Sequence, residues 1–405
     1  MALALEGIKV VEVAQAAAAP MGGRLLADLG ADVLHIENPA TGDSHRYFQS
    51  RPSDAIKAGR GVPSEVNYNF ELYNINKRSV TLNLASEQGR GIIYKFIEKA
   101  DVFTSNLRPF ELEKFKLEYK DLSKLNPRLI FASLTGYGRK GPNRDSPGYD
   151  IISYWARAAI PYLMDATGFR PAFGDSLGGL MLAFGIMTAL FVRERTGVGQ
   201  EVDMSLFGVG VFQMSFDISG ALIEKREFDE FRPQGREDSF NPLVGGYTTK
   251  DERQFVLMCL QPDRYWPKVC QAIEREDLIN DPRFNTFEAR AQNRMELYTI
   301  FDEAFRSKTL EEWKPRFSAI PTGWVQKLLD VINDPQARAN DFFVTLDHPI
   351  HGPIEVIAPP VKFSKTPATV RTAAPELGQH TEEVLLENGY TWEDIARFRE
   401  QGIIS

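Results

Sequence analysis

Short runs of β-branched and apolar residues alternate with longer stretches of helical spacing in the first third of the chain. Ile8-Lys9-Val10-Val11-Glu12-Val13 and Ala31-Asp32-Val33-Leu34-His35-Ile36-Glu37 read as strands, and the apolar positions from Met21 to Leu29 between them fit a helix. This pattern predicts a βαβ unit. It continues with Arg78 to Leu84 as a strand, Glu87 to Lys99 as an amphipathic helix, and Ala100 to Thr104 and Leu129 to Leu134 as further strands. Strands that alternate with helices bury both faces of a parallel sheet, so the expected fold class is α/β.

The apolar run from Leu177 to Val192 holds three glycines. It is shorter than the ~20 residues that span a bilayer, which predicts a buried helix rather than a membrane segment. Met204 to Ile223 continues as a helical stretch. At Glu224 to Glu230 the composition turns charged, as an exposed boundary does. Beyond it Gly246 to Leu257 resembles a β-hairpin turning at Lys250-Asp251, and Arg264 to Arg275 and Leu310 to Phe317 resemble amphipathic helices. Asp347 to Ser364, rich in Pro, Gly and His, reads as an extended return, and Thr381 to Asn388 and Trp392 to Gln401 as closing helices. The expected organisation is a large domain over 1–223, a smaller α+β domain over 224–330, and a return segment, 331–405, that completes the large one.

Composition narrows the chemistry. The chain has 405 residues, 43% hydrophobic and 25% charged, which is the make-up of a globular protein with room for two domains. A net charge of −8 argues against broad nucleic-acid binding and leaves phosphate recognition to local cations. Two cysteines, Cys259 and Cys270, and no clustered histidines exclude a disulfide framework and any standard zinc spacing. The N-terminus carries Glu6 and Lys9 rather than a charged head before an apolar core, so no signal peptide is expected and the location expected is cytoplasmic. Glu37 ends the second strand where a dinucleotide enzyme keeps its ribose-binding acid. The first turn, however, reads Ala14-Gln15-Ala16-Ala17-Ala18-Ala19-Pro20, without G-x-G-x-x-G, and NAD binding is disfavoured.

The most informative stretch is Phe173-Gly174-Asp175-Ser176-Leu177-Gly178-Gly179, a carboxylate in a glycine-rich turn ahead of the long apolar run. Such a carboxylate serves either as a helix cap or as a nucleophile approached closely by substrate. With a reference pKa near 3.9, it is expected to be ionised at pH 7 without a partner base.

Several motifs then occur in order: Asn74-Ile75-Asn76-Lys77-Arg78-Ser79, Ala100-Asp101-Val102 leading to Asn106-Leu107-Arg108-Pro109, Ala132 to Gly138, Gly174-Asp175, Thr196-Gly197-Val198-Gly199-Gln200, and Gly378-Gln379-His380-Thr381. Together they resemble the class III coenzyme A transferases, and the resemblance spans nearly the whole chain. It implies a Rossmann-like large domain, a smaller inserted domain and an interlocked dimer. Asp175 becomes the catalytic carboxylate, passing through aspartyl anhydride and aspartyl-CoA thioester intermediates. Backbone amides around Ser176, Gly178 and Gly179, with a second glycine turn at Gly245-Gly246, become oxyanion and loop support. Ala16, Ala17, Asn74, Lys77, Arg78, Asn106, Leu107, Arg108, Lys114, Tyr137, Arg139 and Lys140 become positions that match or neighbour CoA contacts. CoA thioesters enter as substrates, with no tightly bound cofactor and no metal.

The family also places a glutamine near the reaction centre in the first loop, where this chain has Gln15 and Ala17. Within the superfamily the chain resembles most the subunits of succinyl-CoA:benzylsuccinate CoA-transferases. Arg46, Arg157 and Arg170 are candidates for a spare substrate carboxylate, and Phe207, Phe212, Met214 and Phe216 for an apolar pocket. Two rivals stand beside transfer. Acyl-CoA racemases of the same superfamily use Gly-His-Asp, here Gly148-Tyr149-Asp150, and a tyrosine is a poor base at neutral pH. The other rival is a supporting subunit paired with a homologous chain, as against a homodimer.

Overall fold

In a computed structural model, which describes residues 2–47, 66–164, 169–227 and 235–405, six short runs pair into one sheet. They are β1 (Lys9–Val13), β2 (Asp32–Glu37), β3 (Arg78–Thr81), β4 (Val102–Ser105), β5 (Ile130–Thr135) and β6 (Glu201–Ser205). Every pairing is parallel and the order is β3-β2-β1-β4-β5-β6. Successive side chains point to opposite faces, so Val10, Val102, Ile130 and Ala132 enter one core while Val11, Phe103 and Phe131 enter another. Burial on both sides explains why these strands are continuous apolar runs. The strand order reverses between β1 and β4, and open α/β sheets bind ligands in the crevice beyond the strand ends at such a point.

The helices between and after these strands are α1 (Ala18–Asp28), α2 (Tyr68–Asn74), α3 (Glu87–Glu98), α4 (Pro109–Phe115), α5 (Tyr119–Leu125), α6 (Ile160–Met164), α7 (Phe173–Thr196), α8 (Leu206–Gln213) and α9 (Ser215–Glu224). α1 and α7 cover the first face, and α3 with the closing helices Thr381–Glu387 and Trp392–Glu400 the second. Those closing residues also stitch the sheet edge. The Thr81 amide donates to Thr381 Oγ1 at 3.0 Å, the Asn83 amide to the Ile403 carbonyl at 2.8 Å, and the Gly378 amide to Ser79 Oγ at 2.8 Å.

Contacts divide the chain into two units, Met1–Gly220 with Asn340–Ser405, and Ala221–Ala339. In the second, β7 (Val244–Thr248), β8 (Gln254–Met258) and β9 (Thr322–Trp324) form an antiparallel sheet over an aromatic core of Phe255, Trp266, Phe301, Phe305 and Trp313. The expected hairpin is present, and Cys259 and Cys270 are free and buried in that core. The charged stretch is exposed at residues 224–227, and 228–230 lie outside the described residues.

Four expectations change. Strand β6 went unread because Glu-Val-Asp-Met-Ser is a half-exposed edge with two acids and little β-branched character. The stretch from Met204 to Ile223 is not one helix: Ser205 Oγ caps α8 by accepting the Gly208 amide at 3.0 Å, and α8 and α9 meet at a 77° bend. The return segment contains an antiparallel hairpin, β10 (Phe343–His348) with β11 (Gly352–Ile357). The apolar helix begins at Phe173, so α7 has 24 residues and is long and apolar enough to cross a membrane by length and composition. Only one face, including Gly179, Leu182, Ile186 and Ala189, is buried, while Phe184 and Phe191 are 65% and 64% exposed.

Candidate active site

The switch-point crevice is bordered by the loops that follow β1 and β4, and a primary amide ties them together. The Gln15 amide donates to Asn106 Oδ1 at 3.0 Å, and Asn106 Nδ2 donates to the Gln15 carbonyl at 2.7 Å. Next to it Ala16 takes a left-handed conformation, φ 65°, which costs a residue with a Cβ ~1 kcal/mol or more. Its amide is held by the Asp43 carboxylate at 3.1 and 3.2 Å. Beneath lies a wholly buried charge cluster: His35 Nδ1 is 2.8 Å and Lys77 Nζ 2.6 Å from Glu12 Oε1, and His35 Nε2 is 3.4 Å from Asp43. Burial pushes the His35 imidazolium down. The hydrogen bonds to Asp43 and Glu12, with the Glu37 charge, outweigh that and raise it to about 9.

Asp175 is the third residue of α7. The helix starts after Ala172, also left-handed at φ 72°, and its cap comes from far upstream. Asp150 Oδ1 accepts the Gly174 amide at 2.7 Å. Gly174 has no room for a Cβ, which would meet Tyr154 and Asp150. Asp175 is thus half-buried against a like charge. Burial, then the Asp150 carboxylate, pushes its carboxyl up to about 7, which corrects the expectation of an acid fully ionised at neutral pH.

α1 and α7 pack in parallel at near-contact distance. A Cβ on Gly179 would stand 2.5 Å from Met21 Cβ and 2.8 Å from the Ala18 carbonyl, and one on Gly22 would stand 2.9 Å from Leu182 Cδ2. Asp175 lies one turn before Gly179, so it faces the loop one turn before Ala18, at the switch point. Tyr73 of α2 packs there against Ala17 and Met21, and it is the residue that sequence reasoning missed. Its phenol is pushed further above its usual range by burial and by the charges of Asp175 and Asp150.

A parallel six-stranded sheet with a perturbed carboxylate at its switch point fits many enzymes. The model of CoA-transferase family III matches residues 5–381. The chain belongs to this family. It is 35% identical to the (R)-2-hydroxy-4-methylpentanoate CoA-transferase of Clostridioides difficile, over 99% of each chain. It is also 35% identical to the cinnamoyl-CoA:phenyllactate CoA-transferase of Clostridium sporogenes, over 96% of this chain and 94% of that one. Among solved structures a CAIB/BAIF family protein from Brucella suis superposes with a TM-score of 0.80 at 28% identity, covering 96% and 100% of the two chains.

The transferase fold revises several expected roles. The Ser176 amide donates to the Ala172 carbonyl at 2.9 Å, and Gly178 and Gly179 lie inside the helix, so its own ladder takes the amides expected to hold an oxyanion. Gly245 and Gly246 form no turn; they are strand residues of β7 paired with Leu257 and Val256. Lys77 and Asn74 are inaccessible, because Lys77 Nζ bonds Glu12, the Pro20 carbonyl and Asn74 Oδ1 inside the core. Arg78 is committed to Asp32 and Glu387, and Arg139 to Glu118 and Glu201.

Ala17 is buried, whereas Ala16, Asn106, Leu107 and Arg108 are partly accessible at the switch point, Arg108 pairing with Glu111 at 3.1 Å. Lys114 and Lys140 are exposed, and Tyr137 is half-buried with the Arg157 guanidinium 5.6 Å from its ring. Arg46 is consumed by Glu37, the acid at the ribose-binding position, which also accepts from Ser79 Oγ. Arg170 is exposed; Phe207 and Met214 pack on the core, and Phe212 and Phe216 are exposed.

Proposed function

We propose that Asp175 is the nucleophile of a two-stage CoA transfer. The observation that carries this reading is a half-buried carboxylate of raised pKa, on the first turn of a helix directed at the switch point. An Asp175 oxygen attacks the thioester carbonyl of the donor; the C–S bond breaks, CoA leaves as the thiolate, and an acyl-aspartyl anhydride remains. The thiolate then attacks the aspartyl carbonyl and expels the donor acid, leaving an aspartyl-CoA thioester. An acceptor carboxylate repeats both steps in reverse and departs as its CoA ester. No proton is gained or lost over the cycle, so the site needs no separate base.

Succinyl-CoA is the proposed donor and an acid with a bulky aryl or alkyl group the proposed acceptor, benzylsuccinate among them. The 2-hydroxy acids named for the two relatives are members of the same apolar class. The working assembly is a dimer, of two copies or with a homologous subunit, that covers the exposed apolar side of α7 to α9. Racemisation loses support because Tyr149, in the histidine's place, is exposed and Asp150 is engaged by the Gly174 amide.

The test is intact mass spectrometry after incubation with succinyl-CoA, with and without hydroxylamine, then peptide mapping. A CoA-sized adduct on Asp175 that hydroxylamine removes supports the cycle. Undiminished turnover in Asp175→Ala would sink it. Rates with benzylsuccinate, phenyllactate, 2-hydroxy-4-methylpentanoate and glutarate then rank the acceptors.

A further inference from the structure

Each attack in the transfer cycle places negative charge on a carbonyl oxygen, and preorganised donors at that position contribute much of the rate in such reactions. The helix that carries Asp175 already has two of its first amides engaged. The Ser176 amide is bonded within the helix, and the Gly174 amide is taken by Asp150. A donor from outside α7 would complete the site.

Tyr73 is the side chain placed to provide one. Its ring is held in the cluster with Ala17 and Met21. Met21 lies against Gly179, one turn beyond Asp175 on the same face of α7, so the ring stands under the loop that Asp175 faces. His45 braces the ring from another side, with centroids 5.4 Å apart. Tyr73 is buried, and its hydroxyl lies within reach of the charges of both Asp175 and Asp150. Burial, and then the charges of Asp175 and Asp150, keep the phenol protonated, the state in which it donates.

We propose that the Tyr73 hydroxyl is the oxyanion donor for the tetrahedral intermediates formed on and by Asp175. This assignment rests on Asp175 being the nucleophile, and the two are separable by experiment. Tyr73→Phe removes one oxygen and leaves the packing ring. Steady-state kinetics with succinyl-CoA, melting temperature and the hydroxylamine-sensitive adduct are measured for wild type, Asp175→Ala and Tyr73→Phe.

The expected result is a fall in kcat of ~10²-fold in Tyr73→Phe, the usual cost of losing one such donor. The KM for the thioester stays within about threefold, the melting temperature is unchanged, and the adduct still forms on Asp175, more slowly. A kcat within about threefold of wild type overturns the assignment while the adduct on wild-type Asp175 leaves the nucleophile in place. A loss of kcat matched by a loss of melting temperature, or carried wholly in KM, assigns Tyr73 to packing and likewise overturns it. Turnover in Asp175→Ala overturns the nucleophile itself, whatever Tyr73→Phe does.

Discussion

A carboxyl raised to about 7 is a compromise between reactivity and ionisation, and both sides of it are measurable. The ionised form attacks, so kcat/KM, which reports the free enzyme, should rise about tenfold per pH unit below about 7 and level off above it. The same shift acts on folding. Between the ordinary value of 3.8 and about 7 the native chain holds a proton that the unfolded chain has lost, so Asp175 costs stability progressively as pH rises through that window. Asp175→Asn should therefore abolish transfer yet melt higher than wild type at pH 8, with no difference below about pH 4; equal melting at pH 8 would refute the raised pKa. Lys77 makes the opposite case. Lys77→Met strips Glu12 of its cation inside the core, with an expected loss of about 3–5 kcal/mol in urea unfolding, while CoA affinity in the folded fraction stays unchanged. The motif around Lys77 was legible and its role was not, because the chain alone does not say which way a lysine points. Asp175 was legible from its glycines, but its acidity was not, since the second carboxylate, Asp150, is 25 positions upstream.

At the level of elements, strands buried on both faces announced themselves, whereas β6 and the start of α7 did not. The first lacks apolar continuity and the second is capped from another segment, so local sequence carries neither signal. The glycines of α7 also had a cause that local reading could not supply. They permit α1 to approach, and this contact fixes the height of Asp175 over the crevice. Gly179→Ala forces a new methyl into Met21 and the Ala18 carbonyl, with an expected cost of about 1–3 kcal/mol and a drop in kcat as Asp175 is displaced. Gly91→Ala is the control. That helical glycine is exposed and a Cβ there meets nothing within 4 Å, so the same substitution should stabilise by about 0.5–1 kcal/mol without touching activity. Thermal melts of the two variants with opposite signs would confirm that glycine serves packing in one helix and merely tolerates it in the other.

Over the whole molecule, apolar surface is gathered on α7, α8 and α9, where Phe212 and Phe216 are 73% and 90% exposed beside Phe184 and Phe191. Patches of this kind mark interaction surfaces. Light scattering should give a mass near twice 45.7 kDa for two copies, and Phe184→Asp with Phe191→Asp should shift it toward one copy; an unchanged mass would place the interface elsewhere. The alternating order of strands and helices was readable in advance because periodicity is local, while the division at Gly220 and Asn340 depends on which distant segments touch. One of those long-range ties reaches into biosynthesis. Edge strand β3 is closed by partners as much as 324 positions later in the chain, and the whole second unit is translated between them. At about 5–20 residues per second a ribosome takes roughly 15–60 s to supply those partners. During that interval the nascent sheet presents an open edge, which makes β3 the segment a chaperone would need to shield before the polypeptide is released.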